Sequence, residues 1–169
     1  IEGLSPLVDR SQLEEFTLEC EPGTVSPKKL ETLAQLGVTR LSLGVESLDD
    51  AILERNGRAH RLVHVDRVWE AAKGSGIPQL NLDLISGLVG ETDTTWSRGL
   101  ERLLGMDSDS VTIYQMEMPQ NTTFYRSQGA GELSSEALPD WPTKRRWSRQ
   151  AFDALAPLGY TLTSAVTAV

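Results

Sequence analysis

The chain has 169 residues, with 24 acidic against 16 basic side chains and a formal net charge of -8. That balance disfavours nucleic-acid backbones and anionic membrane surfaces as partners and leaves small molecules as the better class. A single cysteine, Cys20, excludes an internal disulfide framework and cannot alone hold zinc or a cluster; no apolar run reaches the roughly 20 residues that span a bilayer, so a cytoplasmic, reducing setting is expected.

In chain order, a first strand is predicted over Glu15–Glu21. Ser26 followed by Pro27 starts a helix whose buried stripe is Leu30, Leu33 and Leu36 and whose stop is Gly37. Arg40–Glu46 reads as the second strand. A short helix near Asp49–Asn56 and a longer one near Leu62–Gly74, with Val65, Val68, Trp69 and Ala72 on one side, lead to a third strand, Gln79–Ser86. A helix carrying Trp96, Leu100, Leu103 and Leu104 leads to a fourth, Ser110–Met118. Arg126–Asp140 reads as a loop, Pro142–Leu158 as a helix and Tyr160–Val169 as a last strand. The alternation predicts an α/β fold with a parallel sheet and right-handed crossovers. Four parallel strands leave an open edge, as a partial (β/α) barrel lacking its first units would. Residues 1–125 are expected to form the C-terminal part of that barrel, and 126–169 to complete or flank it.

Parallel strands covered on both sides are normally apolar on both faces, yet here each of the first three has one polar face. Leu18 and Cys20 oppose Thr17, Glu19 and Glu21; Leu41, Leu43 and Val45 oppose Ser42, Gly44 and Glu46; Leu80, Leu82 and Leu84 oppose Asn81 and Asp83. If the apolar faces meet helices, then Glu19, Glu46, Asn81 and Asp83 project into a shared interior near the C-terminal strand ends, where barrel active sites lie. A bland alternative makes each acid a helix cap or a solvated strand end. Arg58 is a candidate counter-charge, against the ordinary case of a solvated arginine.

His60 and His64 are four apart, a spacing two metal ligands use on a helix, but no third ligand is evident and no metal role is expected. The segment G-L-V-G-E-T lacks the lysine and serine of a phosphate loop, so Gly87 and Gly90 read as a plain turn. Tyr114, Gln115 and Glu117 are placed to touch a ligand at the end of the fourth strand, and the four tryptophans are expected to pack helices.

The runs E-F-T-L-E-C-E-P-G-T-V, G-V-T-R-L-S-L-G-V-E-S-L-D-D, N-G-R-A-H and N-L-D-L-I-S-G-L-V-G-E-T resemble, in order and spacing, the oxygen-independent coproporphyrinogen III oxidase-like radical S-adenosylmethionine proteins. The similarity covers Glu15 to Tyr125, with a weaker echo in L-G-Y-T-L-T-S-A-V-T-A-V. The resemblance implies S-adenosylmethionine and a [4Fe-4S] cluster held by three cysteines outside this chain, a 5'-deoxyadenosyl radical as the reactive species, and an electron donor such as flavodoxin or ferredoxin. It implies cofactor-binding roles for Glu19, toward the ribose, Arg58, near the cofactor carboxylate, and Asp83, and Glu46 is expected to join them in the cofactor site. Glu46 falls where porphyrinogen-oxidising members carry glutamine, a departure that bears on substrate identity more than on cofactor use.

Neither the cysteine motif nor the glycine-rich segment for the methionine end of the cofactor is present, so this chain alone is expected to be inactive. The implied function is an oxidoreductase acting on a tetrapyrrole. A radical methyltransferase, a haem-degrading enzyme and a haem-binding chaperone on the same scaffold are alternatives, and the segment Y-Q-M-E-M-P-Q-N-T looks closer to haem-breakdown or methyl-transfer members than to the biosynthetic decarboxylase. An unrelated reading is an ordinary α/β small-molecule-binding domain.

Overall fold

A computed structural model describes residues 12–117 and 138–169, with Gly3 and Asp9 isolated before them. Strand β1 (Thr17–Cys20) is followed by α1 (Pro27–Gln35), β2 (Arg40–Glu46), α2 (Asp50–Arg55), α3 (Leu62–Lys73), β3 (Gln79–Ser86), α4 (Asp93–Leu104) and β4 (Ser110–Gln115). Then come α5 (Trp141–Leu155), a 3-10 turn (Ala156–Leu158) and β5 (Thr167–Ala168). The expected loop over residues 126–137 and the boundary at 125 lie outside the described residues.

The sheet order is β1-β2-β3-β4-β5. The first four strands are mutually parallel neighbours, as expected from the alternation of elements. β5 corrects the sequence reading: it is two residues long and antiparallel to β4, with one further bridge from Leu162 to Ala168. The rest of Tyr160–Val169 is irregular, with a bend at residues 164–166, and is held by Tyr160, whose hydroxyl donates to the Ser108 carbonyl.

Local chemistry sets the helix ends. The Ser26 hydroxyl accepts from the Lys29 amide at 3.3 Å, Pro27 occupies the first turn of α1, and Gly37 ends it at a φ of 79°. Asp49 caps α2 through the amides of Ala51 and Ile52, and Asp50 accepts from the Leu62 amide at 2.7 Å, tying α2 to the start of α3. Thr92 caps α4, and Asp140 caps α5 through Thr143.

Register aligns the apolar rows. Leu18 faces Leu41, Leu41 faces Leu80, Leu82 faces Val111 and Leu84 faces Ile113. These join Leu30, Val65, Trp69, Trp96, Leu100, Trp147 and Leu155 from the helices in one core, so the helices gather on the apolar side of the sheet. Each leucine so buried contributes about 1.5–3 kcal/mol. Trp96 and Trp147 stack with ring centroids 5.7 Å apart, and Trp69 is 3% exposed. Trp141 departs from the expectation: it is 44% exposed and lies beneath the Lys144 amine instead of packing a helix into the core.

Helix α5 returns onto β3, β4 and α4. Its Lys144 is 7% exposed and donates from Nζ to the Met116 carbonyl at 2.7 Å. The stem crosses Gly87 so closely that a Cβ there would lie 2.6 Å from Lys144 carbons, and Gly87 also has a φ of 92°. Gly76 provides a contrast, with a φ of 82° and nothing within 4 Å of a built Cβ. Gly76→Ala is expected to cost about 1–2 kcal/mol from backbone strain alone. Gly87→Ala is expected to cost a further ~1–3 kcal/mol from overpacking. Urea unfolding of both variants checks this, and equal costs would mean that the lysine stem gives way freely.

Candidate functional site

The polar strand faces meet on the side of the sheet away from the helices. Asn81 lies at its centre with 0% exposure. Its Nδ2 donates to Ser42 Oγ and to Asp83 Oδ1, each at 2.8 Å. Its Oδ1 accepts from Ser110 Oγ at 2.7 Å and Thr112 Oγ1 at 3.2 Å. Asn81 therefore does not project into an open interior, as the alternation alone suggests; the neighbouring strands close over it. Ser42 Oγ donates to Asp83 Oδ2 at 2.6 Å, so both carboxylate oxygens of half-buried Asp83 have a donor. Gly44 stands opposite Asp83 in the register and leaves that flank without a side chain.

Glu19 is exposed on the same face, opposite Ser42. Tyr114 is 50% exposed, and its phenol is pushed above the usual tyrosine value by burial, then by the charges of Asp83 and Glu19, with Arg40 opposing. It thus stays protonated, a hydroxyl donor near the two acids. Gln115 turns toward α5 and Ser148, not toward this face. Glu117 is exposed beside Lys144.

Glu46 occupies a different place. The β2–β3 register shifts between Gly44 and Glu46, and the Glu46 carboxylate pairs with Arg58. Burial raises its pKa first, the Arg58 charge opposes, and Glu21 adds to the rise. Arg58 thus offsets Glu46, not the whole acid group, and is half-buried, contrary to a solvated arginine. Asp83 is instead held by neutral donors.

The N-G-R-A-H run joins the other motifs. Asn56 Nδ2 donates to the Ile52 and Val89 carbonyls at 2.8 and 3.1 Å, and Asn56 Oδ1 accepts from the Val89 amide at 3.0 Å. His60 is 4% exposed with Nε2 3.0 Å from the Val45 carbonyl, while His64 Nδ1 accepts from the Arg61 amide at the start of α3. The two histidines serve backbone groups in different places, and no cluster of three or more His, Cys, Asp or Glu suited to a metal occurs among the described residues.

Residues 4–103, well over half of the chain, match the Radical SAM superfamily. The chain belongs to that superfamily. It is 34% identical over 123 residues to "Heme chaperone HemW" of Bacillus subtilis (strain 168), covering 73% of this chain and 32% of the relative. It is 33% identical over 153 residues to "Heme chaperone HemW" of Lactococcus lactis subsp. lactis (strain IL1403), covering 90% of this chain and 40% of the relative. The chain thus spans about a third of the length of the curated relatives it matches. The solved coproporphyrinogen III oxidase (HemN) from Escherichia coli, a radical SAM enzyme, superposes with a TM-score of 0.78 at 21% identity, over 92% of this chain and 35% of that one. That likeness confirms the fold, an α/β partial barrel with a parallel sheet.

The donor and acceptor chemistry of the polar face suits S-adenosylmethionine, which offers ribose hydroxyls, an ammonium and a carboxylate. Glu19 and Asp83 supply acceptors there and Tyr114 a donor, while Glu46 and its partner Arg58 lie at the strand end beside that face. The chain does not fit a cluster. Cys20 lies half-buried on the helix side in a groove of about 460 Å³ with Leu18, Val25 and Leu33, and burial pushes its thiol up, opposite to what a thiolate ligand needs.

Sequence reasoning passed over Glu91. This residue is 8% exposed, and its Oε2 accepts from the amides of Gly87 at 2.7 Å and Leu88 at 3.3 Å, closing the G-L-V-G turn. The available signal was an acid four residues after the first turn glycine. Burial raises its pKa to about 7 against two opposing backbone hydrogen bonds. A carboxyl whose folded pKa exceeds its unfolded value stabilises most below the unfolded value of 4.5, and that stability is lost as pH rises through about 7. The loss amounts to about 3 kcal/mol. Glu91→Gln keeps an oxygen acceptor without the charge, so it is expected to abolish this component and to match or exceed the parent at pH 8. Urea midpoints at pH 5 and pH 8 check it; an unchanged pH dependence in the variant would assign the titration elsewhere.

Proposed function

We propose that this chain is one wall of the S-adenosylmethionine site in a longer, cytoplasmic radical SAM protein that handles a tetrapyrrole, with haem carriage as its activity. The observation that carries the cofactor part is the placement of Glu19 and Asp83 on one polar face of four parallel strands, with the Tyr114 hydroxyl sensing both. Haem carriage is supported by the relatives at 33–34% identity, which bear the name heme chaperone. Coproporphyrinogen oxidation, the first expectation from the motifs, now has behind it a structural neighbour at 21% identity, which speaks for scaffold and not for substrate.

The residues act by holding. Exposed Glu19 accepts from the two ribose hydroxyls, which take the place of water hydrogen bonds nearly one for one. Asp83, braced by Ser42 and Asn81, presents its remaining lone pairs in a fixed direction. Arg58 meets the cofactor carboxylate, and Glu46 balances its charge. When bound, the cofactor and a cluster ligated outside this chain supply reductive carbon–sulfur bond cleavage, and an external electron donor of the flavodoxin or ferredoxin type delivers the electron.

The test uses the full-length protein, reconstituted anaerobically with iron and sulfide. Haem titration followed by Soret absorbance is expected to show stoichiometric binding, and S-adenosylmethionine binding is expected to weaken by about 1–3 kcal/mol in Glu19→Gln, the scale of one charged hydrogen bond. Production of 5'-deoxyadenosine with consumption of coproporphyrinogen would overturn haem carriage in favour of oxidation. Unchanged cofactor affinity in Glu19→Gln would remove that residue from the site.

A further inference from the structure

Glu46 has a φ of 65°, and Asp107 is the other residue besides glycine with a positive value among those described. The Ser47 amide donates to the Val45 carbonyl at 2.8 Å, closing a three-residue turn with Glu46 at its centre. With positive φ at the central residue, such a turn is the rare and strained member of its class. It coincides with the shift in β2–β3 register, where Glu46 comes to stand opposite Leu84. A glycine would take this conformation without strain, yet the position holds a residue with a charged side chain. Strained backbone persists where surrounding structure over-determines it.

What over-determines it here is the segment after α2. The Val45 carbonyl that closes the turn is also 3.0 Å from His60 Nε2. A carbonyl only accepts, so Nε2 carries the proton and donates. His60 is 4% exposed, so water does not compete well for that bond. Two residues earlier, Arg58 pairs with the Glu46 carboxylate. The same short segment therefore holds Glu46 twice, by its preceding carbonyl and by its side chain. The segment is further fixed by Asn56, which binds the turn at Val89.

We propose that His60 is a positioning residue: its Nε2–H, donated to the Val45 carbonyl, locks the strained turn at Glu46 and so aims the Glu46 carboxylate at Arg58. The role of that aimed carboxylate in the cofactor site rests on the reading given under Proposed function.

The test follows amide hydrogen exchange at Ser47 and S-adenosylmethionine affinity in the full-length protein. His60→Phe keeps bulk and removes the donor, and is expected to speed Ser47 exchange and weaken affinity by about tenfold each. His60→Gln retains an N–H donor of similar reach and is expected to bring both back to within about threefold of the parent. In a Glu46→Gly background the turn needs no external lock, so His60→Phe should leave Ser47 exchange unchanged. Unaltered Ser47 exchange in His60→Phe, or equal damage in His60→Gln, overturns the proposal. Should His60→Phe fail to fold, the Glu46→Gly/His60→Phe double variant decides, recovery supporting the lock and continued failure overturning it. Glu46→Gln separates the two readings. If it leaves cofactor affinity unchanged while Ser47 exchange still follows His60, the cofactor role of Glu46 fails and the positioning role stands.

Discussion

An asparagine with no exposure at the middle of a sheet must find four partners or lose several kcal/mol, and the polar face is organised around meeting that demand at Asn81. Ser42 and Asp83 take its two amide protons, and Ser110 and Thr112 fill its carbonyl. Thr112 passes the chain on to Thr167 at 3.4 Å, so the network reaches from β2 to the short β5. Low local dielectric strengthens such a network when complete and penalises it heavily when any member is lost. One consequence is that Asp83 stands in a fixed orientation before any ligand arrives.

A second constraint operates at the rim. Loops at the C-terminal ends of parallel strands have no ladder to satisfy their backbone, so other groups must do it. Asn56 serves the Val89 peptide on both sides, Glu91 serves the amides of Gly87 and Leu88, and His60 serves the carbonyl of Val45. Each substitutes a side chain for a missing strand partner. Gly90 takes a φ of 83°, which explains a second glycine in a turn with no phosphate to cradle. Three of the four sequence runs that mark this fold, those holding Val45, Asn56 to His60 and Gly87 to Glu91, are thus pieces of one hydrogen-bonded rim.

Period-two alternation made the faces of β1, β2 and β3 readable, because a strand residue's side is fixed by parity. The first helix start was readable for a similar reason, since Ser26 acts on an amide three residues away, whereas the caps at Asp49 and Thr92 were not read from the sequence. The final strand was not. Residues 160–169 are rich in threonine and valine, yet β propensity measures fit to a neighbouring strand, and only Thr167 and Ala168 find one in register with β4. Glu46 escaped for a different reason. Parity assigned it to the face of Ser42, but the extra residue at Val45 and a positive φ at a non-glycine position redirect it, and no local pattern signals either. The convergence of acids was therefore legible as a tendency, while the division of partners was not, since Asn81, Asp83 and Ser42 meet across about 40 residues of sequence.

That division has a chemical logic. The three carboxylates differ in what compensates them: Glu19 has solvent, Asp83 has two neutral donors, and Glu46 has a guanidinium under partial burial. Solvent is the easiest partner to displace, because a ligand hydroxyl replaces water nearly one for one. Neutral donors hold direction without neutralising charge, so Asp83 retains its full attraction for an incoming donor while losing its freedom to turn. A guanidinium holds direction but also neutralises, so it must be shared or released before a second cation can bind. Under the proposed cofactor reading, the cost of engaging a ligand ranks Glu19 first, Asp83 next and Glu46 last, so the exposed acid would be the point of first contact and the paired acid the part of the rim that holds its shape.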